Sequence, residues 1–354
     1  MDFRTRLDLL LGEHVIIIAK QSSAPARVAE YTSYLRLLTA NGGDLTELVR
    51  SAIGDSAAAR FELIWNAQND FLVSYTIGLV THNKAKGERA MAGMKGTFVP
   101  QFSQFLNDVT QVPLDLLTPL VTQHMLEMKA MLDDQVAKNY PRLYADLRTA
   151  YAHAAQVGDV LAPRIAGRFP DRFPGDASSP AADLRASLNI RWQEHAYLAT
   201  MRTNAVIGGR SAEKAAAAGA LTETASALDA LFTDLFGAPV AVRFDKIWAT
   251  GNAATVAYAS ASAGAARQRA RGELNDALVT QLSSWVQDST DLASSVSQPA
   301  LEAQVEALIT AIDDQRSKSL AKVAADDRSS EASTEVVADL VASAVVAKLK
   351  ARFG

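Results

Sequence analysis

The residues of this chain best suited to chemistry are its five histidines, four of which fall on apolar helical faces. His14 has Leu10 one turn before it and Ile17 and Ile18 one turn after. His124 lies between Leu120 and Val121 on one side and Met128 on the other. His153 has Ala150 and Val157, and His195 has Trp192 and Leu198, at the same spacing. Positions three and four apart share a helix face, so these imidazoles are expected to point inward or along a helix seam. His82, in Thr81-His82-Asn83-Lys84, reads as a surface residue at a helix end. A neutral imidazole is the commonest metal ligand and suits zinc, copper, iron or nickel. The expected metal site is therefore His14, His124 and His153, with Asn69 beside them, one turn after Trp65, and Glu13 orienting an imidazole from outside the ligand set. Glu127, one turn beyond His124, is a further carboxylate in reach. Met125, Met128 and Met131 near His124, with Met91 and Met94, are soft enough to favour Cu(I), but core packing is the plainer reading of them.

Against these stand the motifs that are missing. No Glu-x-x-His pair, His-Glu-x-x-His, phosphate loop, dinucleotide fingerprint or nucleophile elbow occurs, and the chain has no cysteine. Cysteine nucleophiles, thiolate metal sites and disulfides are thereby excluded. A net charge of −4 without a basic stripe argues against nucleic acid as a partner. Apolar residues make up 49% and charged residues 21%, a globular composition, and no run approaches the roughly 18 apolar residues of a membrane span. Arg4 and Arg6 before Leu9-Leu10-Leu11 imitate a signal peptide, yet Asp8, Glu13 and His14 interrupt the apolar run and no cleavage site follows.

The elements that must position the histidines read as helices throughout. Alanine is abundant, glycines sit at ends, and alternating β-branched runs are scarce. In the first half helices are expected over 2–21, 25–53, 55–82, 84–110, 114–138 and 140–168. Asn41-Gly42-Gly43 should interrupt the second of these, with Asp44 restarting it, and Pro100 should kink the fourth. Pro113 and Pro141 fall at first turns, and Gly54 at a stop. Residues 169–180, rich in Pro, Gly and Ser, read as a linker.

The second half repeats the first at a lag of about 180 residues. Arg60-Phe61-Glu62-Leu63-Ile64-Trp65 returns as Arg243-Phe244-Asp245-Lys246-Ile247-Trp248, Asn69 as Asn252, Tyr75 as Tyr258, and Glu13-His14 as Glu194-His195. Pro119, Asp133-Asp134-Gln135, Lys138, Asp146 and Asp159 also recur, as Pro299, Asp313-Asp314-Gln315, Lys318, Asp326 and Asp339. A period this long marks a duplicated domain, not a solenoid. Trp65, Trp192, Trp248 and Trp285 read as core anchors, Tyr75 and Tyr258, kept in both halves, as buried hydroxyls with fixed partners, and Arg60 and Arg243 as ties between helix ends. His124 and His153 become Gln304 and Ser333 in the second half, so the site is expected in the first alone. The expected architecture is all-α: a helical bundle over 1–168 and a second over 181–354, each with four core helices and extra segments.

Glu-His on a first helix, Trp and a polar residue one turn on, His on a fifth helix and Ala150-Tyr151-Ala152-His153 on a sixth resemble a group of uncharacterised bacterial tandem helical-bundle proteins. In that group the turn after the Trp often carries His, and the last motif often reads His-Met; here Asn69 and Ala154 depart from it. The resemblance implies exported or cell-surface bundles of the cell envelope and supplies no reaction. The leading functional expectation is a non-catalytic protein whose first domain binds a transition metal (Cu, Zn or Fe) or small cofactor. The alternative is a structural scaffold that offers helical faces to a protein partner or a second copy. An enzyme using the His/Glu cluster for acid–base chemistry ranks third.

Overall fold

Helix propensity prevails along most of the described residues. The computed structural model describes residues 2–24, 27–173 and 175–353 and contains no strand among them. The expected helix start at 25 and position 174 of the linker lie outside the described residues. The chain divides into two units, Met1–Ser178 and Ser179–Gly354. In the first, α1 (Asp2–Ser23), α2 (Val28–Ile53), α3 (Asp55–Val80) and α4 (Lys84–Gly93) are followed by a π-helical turn, Met94–Phe98. The chain continues as α5 (Val99–Thr110), α6 (Leu114–Ala137) and α7 (Tyr140–Arg168). The second unit comprises α8 (Pro180–Ile207), α9 (Ser211–Phe236), α10 (Ala238–Ser260), α11 (Ala265–Asn275), a π turn at Asp276–Gln281, α12 (Leu282–Thr290), α13 (Ser294–Ser317), α14 (Val323–Lys348) and α15 (Lys350–Phe353).

In unit one, α1 packs most extensively on α7, then on α2, and also touches α6 and α3. Val15 through Ala19 are buried at every successive position, so α1 has no solvent face along that stretch. In unit two, α8 is related in the same way to α14, α9, α10 and α13. Aromatic side chains fill the space between these helices. Phe61 stacks on Trp65 at 5.3 Å, and Phe102 lies 5.7 Å from Trp65. Unit two has Phe244 on Trp248 at 5.1 Å and Trp285 at 4.7 Å from Phe232. All four tryptophans are buried. The Trp285 indole donates to the Val240 carbonyl.

Polar side chains pin the helices at similar points in the two units. The Tyr75 hydroxyl donates to Asp133 at 2.6 Å and that of Tyr258 to Asp313 at 3.0 Å. Arg60 pairs with Asp108 and Arg243 with Asp288. α6 and α13 each end on a lysine in the left-handed conformation, Lys138 and Lys318. The next amide in each case reaches back to the carbonyl of Asp134 or Asp314, satisfying a helix-end acceptor.

One local expectation is overturned. α2 runs unbroken through Asn41-Gly42-Gly43. Asn41 is fully buried and its amide donates to Glu13, while a Cβ on Gly42 would stand 3.5 Å from the Trp65 ring. Tertiary contact on that face outweighs the weak helix propensity of the two glycines. The irregularity near Pro100 is the π turn before it, and unit two has a π turn at the corresponding place without a proline. The π turn is thus a feature of both units.

Glycine substitutions test this packing. A Cβ on Gly78 would lie 2.7 Å from the Gly87 backbone nitrogen, whereas one on Gly219 would meet nothing within 4 Å. Gly78→Ala should destabilise unit one by about 1–3 kcal/mol. Gly219→Ala, in an exposed helix interior, should stabilise unit two by about 0.5–1 kcal/mol. Urea denaturation of each variant against the parent chain measures both.

Candidate functional site

The imidazoles of unit one are held by side chains from facing helices. On α1, His14 is completely buried and its Nε2 lies 2.8 Å from Asn69 Oδ1 on α3. The amide oxygen only accepts, so Nε2 carries the proton and Nδ1 the lone pair. That Nδ1 is buried and has no hydrogen-bond partner. On α6, His124 takes a bond of 3.1 Å at Nε2 from Gln68 Nε2, also on α3. An amide nitrogen only donates, so here Nε2 is the acceptor. On α7, His153 Nδ1 donates to Glu127 Oε2 at 2.6 Å, and both side chains are about one-tenth exposed.

The expected donors thus occupy one region of unit one, though each makes its own contact. The rings of His14 and His124 stand 6.4 Å apart, centroid to centroid, and His14 also packs on Trp65 at 4.8 Å. Asn69 meets His14 as a hydrogen-bond partner. Glu13 accepts from Asn41 at 2.9 Å. Among the described residues, no three His, Asp or Glu side chains gather in an arrangement that would hold a metal ion. Beside His124 lies a cavity of about 20 Å³ bounded by Leu11, Trp65, Phe102, Leu120, Val121, Ala154 and Val157. That is space for one water-sized guest, and apart from the imidazole its lining is apolar.

Burial sets the electrostatics. It lowers the His14 imidazole to about 4, with the Asn69 bond opposing, and the His124 imidazole to about 3, with His14 and His153 adding to the effect. Both rings are therefore neutral at pH 7, which is the form that ligates metals. In unit two, His195 is lowered to about 4 by the same cause, and its Nε2 lies 2.8 Å from Asn252 Oδ1.

Two contacts are common to the units and two are not. Glu13–Asn41 and His14–Asn69 have counterparts in Glu194–Thr224 and His195–Asn252. Gln68–His124 and Glu127–His153 have none, because the related positions are Gly251, Gln304, Ala307 and Ser333. A Cβ on Gly251 would sit 2.3 Å from the Leu278 side chain, so a leucine fills the place where a side chain at this position would begin. Sequence reasoning passed over Gln68, whose signal was its exchange for glycine beside a retained asparagine. It placed Glu127 in reach but did not pair it with His153, since a partner on another helix leaves no spacing to read.

No family model, curated protein or solved structure matches this chain.

The buried neutral imidazoles make unit one sensitive to acid. A histidine whose folded pKa is depressed binds its proton only on unfolding, so its contribution to stability is present above about 6.5 and is lost as pH falls. His124→Gln places the unit-two residue at this position. Relative to that variant, the parent chain should lose stability with a slope of about one proton between pH 6.5 and 4, and the two should run parallel above pH 7. Urea midpoints across this range supply the measurement.

Proposed function

We propose that unit one is a non-catalytic binding module for a single transition metal ion, with His14 and His124 as its inner donors and His153 and Asn69 at its edge. The observation that carries this reading is the unprotonated Nδ1 of His14, which is buried without a hydrogen-bond partner while a second neutral ring stands 6.4 Å away. The cavity of about 20 Å³ beside His124 is too small for an organic cofactor. Imidazole donors in an apolar setting favour zinc, copper or iron over calcium or magnesium. Gln68 would have to release His124 Nε2 for that nitrogen to ligate, making its amide the group that gives way. Glu127 would hold the His153 ring in one orientation through Nδ1.

The sequence repeat, taken with the shared Glu–α9/α2 and His–Asn contacts, supports descent of the two units from a duplicated bundle in which only the first kept the inner imidazole. The motif resemblance supports placing the protein in the bacterial cell envelope. A scaffold reading has its own support, since the Nε2 atoms of His14, His124 and His195 and the Nδ1 of His153 each already engage a neighbouring side chain. On that reading the histidines serve packing, and the helical faces serve a protein partner or a second copy.

Elemental analysis separates the two. The full chain is incubated with Cu, Zn, Fe or Ni in turn and dialysed exhaustively, beside His124→Ala and His195→Ala. The metal reading expects about one ion per chain, retained in His195→Ala and lost in His124→Ala, with helical content unchanged by circular dichroism. No retained metal in the parent chain overturns it and leaves the scaffold.

A further inference from the structure

The seam between the first helix of each unit and its main partner carries one Asp/Asn difference. In unit two, Arg185 on α8 grips Asp339 on α14 with Nε at 2.7 Å and Nη2 at 2.5 Å. Asn189, one turn on from Arg185, donates its amide to the same carboxylate at 2.8 Å. In unit one, Arg4 on α1 grips Asp159 on α7 with Nε at 2.8 Å and Nη2 at 2.7 Å, and donates to the Ala177 carbonyl. Here, however, the position of Asn189 is taken by Asp8.

Asp8 is fully buried. Its Oδ1 is packed so closely on Gly158 that a Cβ there would lie 1.8 Å away, so the glycine is what admits the carboxyl. Neither oxygen receives a hydrogen bond, and the nearest cation, Arg4 Nε, stands 4.0 Å from Oδ2, beyond hydrogen-bond range. A carboxylate in that place would be a buried charge without a donor, facing a second carboxylate that holds the arginine. A carboxylic acid has the hydrogen that Asn189 supplies in the other unit, and Asp159 has lone pairs left to accept it.

We propose that Asp8 is carried as a neutral acid donating its proton to Asp159, so that the α1–α7 seam is a proton-dependent latch, while unit two closes the same seam with a proton-independent amide. The charged groups that act on Asp8 are Arg4 from α1 and Asp159 from α7; none from α2, α3 or α6 does so among the described residues. Burial first, then Asp159, pushes the carboxyl up to about 9 against the pull of Arg4, in keeping with the geometry. Loss of the proton to solvent leaves two carboxylates sharing one guanidinium, and the seam loosens. The sign follows from the raised folded value. The folded chain keeps a proton that the unfolded chain gives up above about 4, so this contribution is whole below that pH, declines up to about 9 and is flat beyond.

Carboxyl-carbon NMR of the full chain labelled at aspartate Cγ tests the latch, with Asp8→Asn to assign the resonance and Asn189→Asp to transplant it. The resonance missing from Asp8→Asn should titrate with a midpoint above about pH 8, against about 4 for an ordinary aspartate. Asn189→Asp should add a second resonance that behaves likewise. Melting should show Asp8→Asn level with the parent chain near pH 5 and higher near pH 9. A midpoint below about pH 6, or a pH profile for Asp8→Asn parallel to the parent, overturns the proposal. Should Asp8→Asn fail to fold, the carboxyl introduced at 189 decides: a midpoint above about 8 supports the latch and one below about 6 defeats it.

Discussion

A polar side chain that a helix carries into the interior must find its partner on a neighbouring helix, or its desolvation goes uncompensated. That requirement governs both units. α1 carries Arg4, Glu13 and His14 inside the protein, and they are met by Asp159 on α7, Asn41 on α2 and Asn69 on α3. α8 carries Arg185, Gln193, Glu194 and His195, met by Asp339 and Glu331 on α14, Thr224 on α9 and Asn252 on α10. Each bond fixes an axial register as well as a face. The aromatic layers supply the larger attraction, but that attraction is indifferent to sliding, and the buried polar pairs are not.

The units differ in how they meet that requirement. Where unit one places Gln68 and His124, unit two places Gly251 and Gln304, and Leu278 moves into the space the glycine leaves. The amide–imidazole bond is lost with the glycine, and Gln304 keeps a buried side-chain oxygen without a hydrogen-bond partner. At the helix seam the exchange runs differently: Asp8 and Asn189 have nearly the same shape and differ in whether the hydrogen depends on pH. Unit one therefore carries, at His124 and Asp8, two buried titratable groups that unit two replaces with the amides Gln304 and Asn189. Burial holds both inner imidazoles well below the usual histidine range, and burial with Asp159 holds the Asp8 carboxyl well above the usual carboxylate range.

Much of the fold was legible before any coordinates. Alanine richness and the 3.6-residue apolar period announced helices, and Gly54 and Pro141 marked ends that the structure bears out. The inward direction of His14, His124 and His195 followed from their apolar neighbours. Two local features did not, namely the unbroken α2 and the π turns. Asn41-Gly42-Gly43 looks like a break because propensity is a local quantity, whereas Asn41 is retained by Glu13 from another helix. The π turn of unit two has no proline to announce it.

Composition and periodicity settle the all-α class, because they act over a few residues along one helix. They also settle which side chains must leave water. Which buried groups then meet is a matter of axial register between helices far apart in the chain, and no spacing encodes it. Gln68 with His124, separated by 56 positions, and Glu127 with His153, separated by 26, became pairs only in three dimensions. So did the isolation of the Asp8 carboxyl from any donor, since its surroundings are built by Gly158 and Asp159 at the other end of the unit.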